Sequence, residues 1–159
     1  MPGGDRIPGP RSRIPALAIA TVLGIGYIPI APGTFGSAAG LLVWAIVPSS
    51  AAAQGVAIAV VFVVGAWSGS IAEHHFATTD PRQVVIDEVM GMLITLYLNP
   101  VGRAGAAGAF LLFRLADIVK PFPANRLERL PGGIGVMADD GMAAIYANLA
   151  LRLILAVMT

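Results

Sequence analysis

Acidic residues occur in this chain in three short groups, each beside an apolar run. VVIDEVMGM pairs Asp87 with Glu88, FRLADIVK contains Asp117, and VMADDGMAA pairs Asp139 with Asp140. An ionised carboxylate at the depth of a membrane is costly and is usually functional. Five such acids would repel one another unless a cation lay among them, and oxygen ligands without any thiolate favour a hard ion such as Mg²⁺. The acids therefore predict a divalent-cation site.

Basic residues flank the middle acid at helical spacing. Arg114, Asp117 and Lys120 are three residues apart, which brings them towards one face of a helix before Pro121 ends it. The sequence APGTFGS places Thr34 ahead of an apolar run, where the N–H groups at a helix N-terminus favour an anion. Carboxylates that hold a metal ion, beside Arg and Lys that hold an anion, suit a phosphate ester.

Each feature also has a purely structural interpretation. Asp139 or Asp140 could be the N-cap of the last helix after the glycine-rich PGGIG, and Thr34 could be a cap rather than a substrate contact. Arg114 and Asp117 could form an i,i+3 ion pair, and a lysine at position 120 could extend towards the interface. Four other polar residues have similar interpretations: a solvated Glu88, a turn at Asp80, and histidines on different helix faces at His74 and His75.

The composition is that of a membrane protein rather than a soluble one. The 159 residues suit one domain, and 57% are hydrophobic, 12% are charged and the mean hydropathy is +0.80. Soluble proteins carry about 25% charged residues, and a chain this short could not bury so much apolar surface. The formal net charge of +1 does not favour nucleic acid, and the absence of cysteine excludes disulfides, zinc-thiolate sites and cysteine nucleophiles.

The apolar runs predict an all-α, polytopic bundle with about four to five membrane helices. Residues 54–72 form the clearest span, because 19 residues at ~1.5 Å per residue cover ~28 Å. The small residues in 34–48 permit close helix approach: Gly36, Ser37, Ala38 and Gly40. The other segments are a disordered lead at 1–13, an interfacial or half-inserted helix at 14–28, apolar runs at 84–98, 104–119 and 141–158, and a single domain over 14–159.

Alternate crossing of the membrane places these acids at one face. If residues 34–48 cross and 54–72 return, the loop before Asp87 lies on the starting side, and the next two crossings bring the segment before Asp139 to that side again. Most Lys and Arg residues share this face, with Arg103 and Arg152 as exceptions. By the positive-inside rule this face is cytoplasmic.

Four stretches resemble the signatures of the phosphatidylglycerophosphatase A family. They are APGTFGS, the run from Asp80 to Met92, FRLADIVKPFP and GGIGVMADD, in the family's order and within a resemblance that begins near Leu23. The resemblance implies an all-helical, Mg²⁺-dependent lipid phosphatase of the bacterial inner (cytoplasmic) membrane. Such an enzyme removes the terminal phosphate of phosphatidylglycerophosphate in the bilayer and gives phosphatidylglycerol.

The resemblance also implies roles for individual residues. The catalytic and metal-binding positions are Asp87, Glu88, Asp117, Asp139 and Asp140. Substrate-binding positions are Thr34, Arg114 and Lys120, while Glu73 is a looser match. On this hypothesis a water attacks the phosphorus in line with one carboxylate as base, and the two cationic side chains stabilise the phosphoryl charge.

Two alternatives belong to other classes. A CDP-alcohol phosphotransferase-like enzyme is suggested by DGMAA at Asp140, but Ile145 stands where that motif needs arginine and no acid follows. A small cation transporter would place its acids near the bilayer midplane, and it would not need Arg114 and Lys120 beside them.

Overall fold

Helices account for the regular structure, and no strand occurs in the described part of the chain. The structure is a computed structural model that describes residues 10–127 and 129–158. Its helices are α1 (Pro10–Ala20), α2 (Pro32–Ile46), α3 (Ala51–Phe76), α4 (Ile86–Leu96), α5 (Arg103–Val119), α6 (Ala124–Leu127) and α7 (Gly133–Met158), with a short 3-10 helix at Ile25–Tyr27. The all-α prediction is confirmed for these residues.

Four of the predicted apolar runs coincide with single helices. Segments 34–48, 54–72, 84–98 and 104–119 become α2, α3, α4 and α5. The N-terminal segment is only partly described: residues 1–9 of the predicted lead lie outside the described residues, and α1 begins at Pro10, so residues 10–13 are helical. Pro32 is the first residue of α2. Proline is favoured at this position, because the N–H that it lacks would have no partner within the helix.

Two described helices, α3 and α7, are long and apolar enough to cross a membrane. Each has 26 residues, or ~39 Å at ~1.5 Å per residue. Only 28% of the most apolar window of each helix is buried, so neither has the enclosed environment of a soluble protein's core helix. With 11 residues, α4 extends only ~16 Å. The length criterion thus identifies fewer spans than the four to five expected.

The helices alternate in direction. Helices α2 and α4 run in the same direction, because Gly36 lies against Val85, and Gly40, one turn further along α2, lies against Met92 towards the end of α4. By contrast, α3 runs opposite to α4, since Gly65 lies near Ile86 while the Gln54 side chain accepts a hydrogen bond from the Leu98 N–H, 3.3 Å away. The beginnings of α2, α4 and α7 and the ends of α3 and α5 therefore meet at one end of the bundle, here called the acidic end.

Close packing explains why the predicted small residues are needed in α2. A Cβ atom added at Gly36 would lie 2.8 Å from the Val85 Cβ, and one at Gly40 would lie 2.7 Å from the Met92 Cβ. Contacts that short are not tolerated in a packed interior. The expectation that these glycines permit close helix approach is confirmed.

The last helix begins eight residues before the predicted run at 141–158. Gly133 starts α7, and its N–H donates a hydrogen bond to the Ser70 Oγ at 2.8 Å. A Cβ atom at Gly133 would lie 2.2 Å from the Ala66 carbonyl oxygen. The glycine at position 133 therefore permits close contact between α7 and α3. The N-cap interpretation of Asp139 and Asp140 is therefore wrong: both lie inside α7 and are buried.

Candidate metal centre

Three carboxylates from two helices converge at the acidic end. Asp87 and Glu88 belong to the first turn of α4, and Asp140 belongs to α7. One oxygen of each carboxylate lies within 4.8 Å of one oxygen of each of the others. This group, here called the carboxylate triad, brings together residues separated by more than fifty positions in the sequence. The predicted convergence of Asp87 and Glu88 with the final acid pair is therefore present for Asp140.

Each acid of the triad has a buried oxygen without a hydrogen-bond partner. These atoms are the Asp87 Oδ1, the Glu88 Oε2 and the Asp140 Oδ2. Asp87 is 6% exposed and Asp140 is 3% exposed, so solvent does not easily satisfy them. Buried polar atoms in folded proteins are almost always paired, and oxygen atoms of this type are the ligands of hard divalent cations. The triad therefore fits a bound Mg²⁺ ion.

Electrostatic repulsion within the site points to the same conclusion. The Glu88 carboxylate is repelled by Asp140 and Asp117, and the Asp87 carboxylate by Glu88, Asp80 and Asp139. Burial strengthens the repulsion, because the effective dielectric constant is lower away from water. A positive ion at the triad would offset both the repulsion and the loss of hydration.

Arg114 lies between the triad and a fourth acid. Its Nη1 is 2.5 Å from the Asp117 Oδ2 and 3.7 Å from the Glu88 Oε1. The predicted i,i+3 ion pair is thus present, but it also contacts the triad. The Nε of Arg114 is buried and has no hydrogen-bond partner. Since that N–H is a donor already close to the carboxylates, it suits an oxygen of an anion bound beside the metal ion.

Lys120 reaches the fifth acid from the end of α5. The residue adopts a left-handed conformation with φ 44°, and its Nζ lies 2.7 Å from the Asp139 Oδ2. Its Nζ is also 3.8 Å from the Asp80 Oδ2. Asp117 and Asp139, which the sequence grouped with the metal ligands, therefore lie in ion pairs at the edge of the triad. Each acid remains close enough to Asp140 to repel it.

The α3–α4 loop contributes a contact that sequence reasoning missed. Asp80 lies in a bend with φ 48°, in agreement with its interpretation as a turn residue, and it is also a second acidic neighbour of Lys120. Its backbone N–H donates to the Glu73 Oε1 at 3.1 Å, so Glu73 holds the loop rather than joining the triad. The available signal was the position of Asp80 at the start of the stretch that resembles the family signature.

Gly33, rather than its neighbour Thr34, packs directly against the site. A Cβ atom at Gly33 would lie 2.1 Å from the Glu88 Oε1 and 3.0 Å from the Arg114 Nη1. Thr34 is half-buried in the first turn of α2, and its N–H donates to the Ala31 carbonyl. The glycine therefore allows the start of α2 to close over the acid and the arginine, a role that the sequence analysis did not assign.

A polar clamp holds the opposite end of α4. The side-chain amide of Asn148 donates to the carbonyls of Thr95 and Tyr97 at 3.0 and 2.9 Å, and its Oδ1 accepts from the Arg152 Nε at 2.9 Å. These bonds satisfy carbonyl groups that a helix C-terminus leaves unpaired. Because Asn148 is two turns beyond Asp140 on α7, the same helix meets α4 at both ends, and it holds α4 by hydrogen bonds at this one. Sequence analysis missed this clamp as well.

Comparison with known proteins gives one family. The family model for phosphatidylglycerophosphatase A matches residues 18–155. Phosphatidylglycerophosphatase A of Haemophilus influenzae is 36% identical over 137 residues, covering 84% of this chain and 84% of its own. The Escherichia coli protein of that name is 32% identical over 135 residues, covering 81% and 77%. A Bacteroides thetaiotaomicron protein named as a candidate phosphatidylinositol-3-phosphatase is 36% identical over 145 residues, covering 86% and 90%. No solved structure matches at a significant level.

The triad predicts that a divalent ion stabilises the fold. We expect Mg²⁺ at about 100 times its Kd to raise the thermal midpoint of the purified protein in detergent by about 5–10 °C over a chelator-treated sample. Asp140→Asn should abolish this rise. In chelator the variant should unfold at the same or a higher temperature than the wild type, because one of three repelling charges is gone. Tryptophan fluorescence during heating measures both effects.

Glu73→Gln is the matched control for this measurement. Glu73 is an acid at the same end of the bundle but outside the triad, so its variant should retain the Mg²⁺-dependent rise. A wild-type midpoint that ignores Mg²⁺, or an equal rise in Asp140→Asn, would contradict ion binding at the triad.

Proposed function

The chain belongs to the phosphatidylglycerophosphatase A family, and we propose that it hydrolyses the terminal phosphomonoester of phosphatidylglycerophosphate with Mg²⁺ as cofactor. The products are phosphatidylglycerol, which stays in the bilayer, and inorganic phosphate. The observation that carries the proposal is the carboxylate triad with its three unpartnered oxygens, beside the unpartnered Nε of Arg114. Family membership supports lipid phosphatase activity, and the carboxylate triad is the candidate active site.

The triad residues Asp87, Glu88 and Asp140 would hold the ion, with Asp117 and Asp139 beside them. When bound, Mg²⁺ would supply positive charge and Lewis-acid polarisation to the phosphoryl group. One carboxylate of this set would accept the proton of the attacking water and act as the general base, and the clustering of the acids supports this role.

Arg114 would stabilise the phosphoryl oxygens without leaving its ion pair. Its Nη1 is engaged by Asp117, whereas its Nε has no partner. Donation from Nε to a phosphoryl oxygen would therefore add a charge-assisted hydrogen bond at no loss of an existing one. Lys120, 2.7 Å from Asp139, would add positive charge on the other side. Thr34, at the start of α2, would contact the substrate next to Gly33.

The outer surface supports placement in a bilayer. Large apolar side chains are exposed around the bundle, among them Leu42 at 72%, Val63 at 65%, Leu111 at 67% and Leu153 at 68%. Soluble monomers rarely expose apolar surface so continuously. We infer a multi-pass protein with four to five membrane helices, drawn from α2, α3, α4, α5 and α7. In this arrangement α1 is interfacial or half-inserted.

The charge distribution supports a cytoplasmic acidic end in the bacterial inner membrane. Basic residues of the described segments near this end are Arg82, Arg114, Lys120, Arg126 and Arg129. At the opposite end are Arg103, which begins α5, and Arg152, which contacts the Tyr97 carbonyl. Cytoplasmic loops of membrane proteins carry the excess of Lys and Arg, so the active site would face the cytoplasm.

The central prediction concerns phosphate release. Purified wild type in detergent micelles should release phosphate from phosphatidylglycerophosphate with Mg²⁺ and lose this activity in chelator. Asp87→Asn and Asp140→Asn should each lower kcat by about 100-fold or more, because each removes a charged ligand of the ion. Arg103→Gln, at the opposite end, should retain activity. Near-full release by either triad variant would remove that acid from the site.

The same assay tests the head group. The relatives' names include a phosphatidylinositol-3-phosphatase, whose substrate is also a phosphomonoester on a lipid. We expect a higher kcat/KM for phosphatidylglycerophosphate than for phosphatidylinositol 3-phosphate at equal surface concentration in the micelle. A higher kcat/KM for phosphatidylinositol 3-phosphate would contradict the proposed substrate but would still agree with hydrolysis of a lipid phosphomonoester.

Gly33→Ala tests whether close packing of α2 positions the site. The added Cβ would fall on the Glu88 carboxylate, so this acid and Arg114 must move. A displacement of about 1 Å can cost about 100-fold in rate, and we expect kcat to fall at least tenfold. Gly108→Ala is the control, because a Cβ there meets nothing within 4 Å. Equal activity of the two variants would contradict the positioning role.

Single cysteines test the orientation, since the chain contains none of its own. Thr79→Cys places an exposed thiol at the acidic end, and Ser49→Cys places one at the other end. An impermeant maleimide should label the first variant only in inverted bacterial membrane vesicles and the second only in right-side-out vesicles. The opposite labelling pattern would place the acidic end outside.

A further inference from the structure

Lys120 directs its ammonium group into the acidic end of the bundle. The Nζ atom lies 2.7 Å from the Asp139 Oδ2 and 3.8 Å from the Asp80 Oδ2. Asp139 is only 2% exposed, so the lysine pairs with a buried acid and does not extend towards water as a snorkelling lysine does. A buried charge needs a partner of opposite sign. Lys120 is therefore the positive charge of this part of the site.

Three parts of the fold hold Lys120 and its partners in place. The residue ends α5 with a left-handed backbone conformation. The Tyr146 hydroxyl of α7 donates to the Phe122 carbonyl at 2.7 Å, which ties the segment after Lys120 to α7. The Asp80 N–H donates to the Glu73 Oε1 at 3.1 Å, which holds the α3–α4 loop. The ammonium group is thus fixed by contacts from α5, α7 and this loop, as a bound ion is fixed by ligands from several elements.

Asp87 belongs to two groups of acids at once. It is a member of the carboxylate triad, and Asp80 and Asp139 also lie close enough to repel its carboxylate and each other. Asp80, Asp87 and Asp139 are here called the second acid group. Two-metal phosphatases hold two positive charges about 3.5–4 Å apart, which stabilise the attacking and the leaving oxygen. Two neighbouring groups of acids with one shared member can accommodate two such charges.

The two groups differ in what offsets their negative charge. Within the described residues, the buried carboxylate oxygens without a hydrogen-bond partner all belong to the triad. In the second acid group, the ammonium of Lys120 already contacts Asp139 and Asp80. A metal ion could bind the unpartnered oxygens of the triad without breaking an ion pair, whereas an ion in the second acid group would have to displace Lys120.

We propose that the ammonium group of Lys120 takes the place of a second metal ion, so that the acidic end binds one divalent ion. The inference rests on the proposed function, which places that ion at the triad. A lysine ammonium is a compact point charge with three donors, and it suits a position among several carboxylate oxygens. One of the two adjacent positive charges of the site is then the protein's own, and a chelator cannot remove it.

Counting bound ions tests the proposal, with Mn²⁺ as a probe that takes the same oxygen ligands as Mg²⁺. Purified wild type in detergent should bind one Mn²⁺ per chain in equilibrium dialysis, and Asp140→Asn should lose this ion. Lys120→Ala should bind two, because the loss of the ammonium leaves Asp80 and Asp139 without their cation. The electron paramagnetic resonance spectrum of this variant should show spin–spin coupling between two neighbouring ions, which a merely structural lysine would not produce.

Two matched variants complete the test. Lys120→Arg keeps the positive charge and should bind one ion. Arg126→Ala removes a cation from the same end of the bundle, where Arg126 stacks over the Phe122 ring, and it should also bind one ion. Two ions in the wild type, or one ion in Lys120→Ala, would overturn the proposal. The wild-type stoichiometry decides the matter even where a variant fails to fold.

The two levels of inference fail in different ways. If the wild type binds no Mn²⁺, or if it releases no phosphate from phosphatidylglycerophosphate in Mg²⁺, the proposed function fails. If the wild type is active and binds two ions, or if Lys120→Ala binds the same single ion as Arg126→Ala, the role of Lys120 fails and the proposed function stands.

Discussion

Mutual repulsion among three buried carboxylates is the constraint on which the rest of the structure depends. Asp87, Glu88 and Asp140 approach within 4.8 Å of one another, and each keeps a buried oxygen without a partner. Two unit charges 4 Å apart interact by about 4 kcal/mol at an effective dielectric constant of 20. In their ionised forms the acids repel one another where α4 packs against α7. The fold must therefore hold the helices together against this repulsion.

The scaffold supplies that restraint away from the acids. On one side of α4, the absence of side chains at Gly36 and Gly40 lets α2 pack at a distance that a Cβ atom at either position would prevent. At its far end, Asn148 of α7 binds the last carbonyls of α4. The backbone contact of Gly133 with α3 fixes the start of α7. Glycine and amide contacts of this kind carry no charge, so they hold the carboxylates together without neutralising them.

Sequence reasoning succeeded where local pattern decides the outcome and failed where packing decides it. Paired acids beside apolar runs predicted the convergence of Asp87 and Glu88 with Asp140, because alternate crossing fixes which helix ends meet. The expected start of the last apolar helix near residue 141 is wrong. Glycine disfavours a helix by about 1 kcal/mol relative to alanine, whereas in the structure Gly133 begins α7 in close contact with α3. Lys120 contacts Asp139 and Asp80 from a left-handed backbone conformation. No pattern in the sequence predicts that conformation at a lysine.

The five acids have different roles because two of them engage the cations. Arg114 is 2.5 Å from Asp117 but 3.7 Å from Glu88, and Lys120 is 2.7 Å from Asp139. Coulomb attraction falls with distance, so each cation interacts mainly with its own acid, and each pair is close to neutral. Arg114 also lies 3.7 Å from Glu88, so it offsets part of the charge of the triad. The ion pairs thus hold both cationic side chains at the edge of the triad.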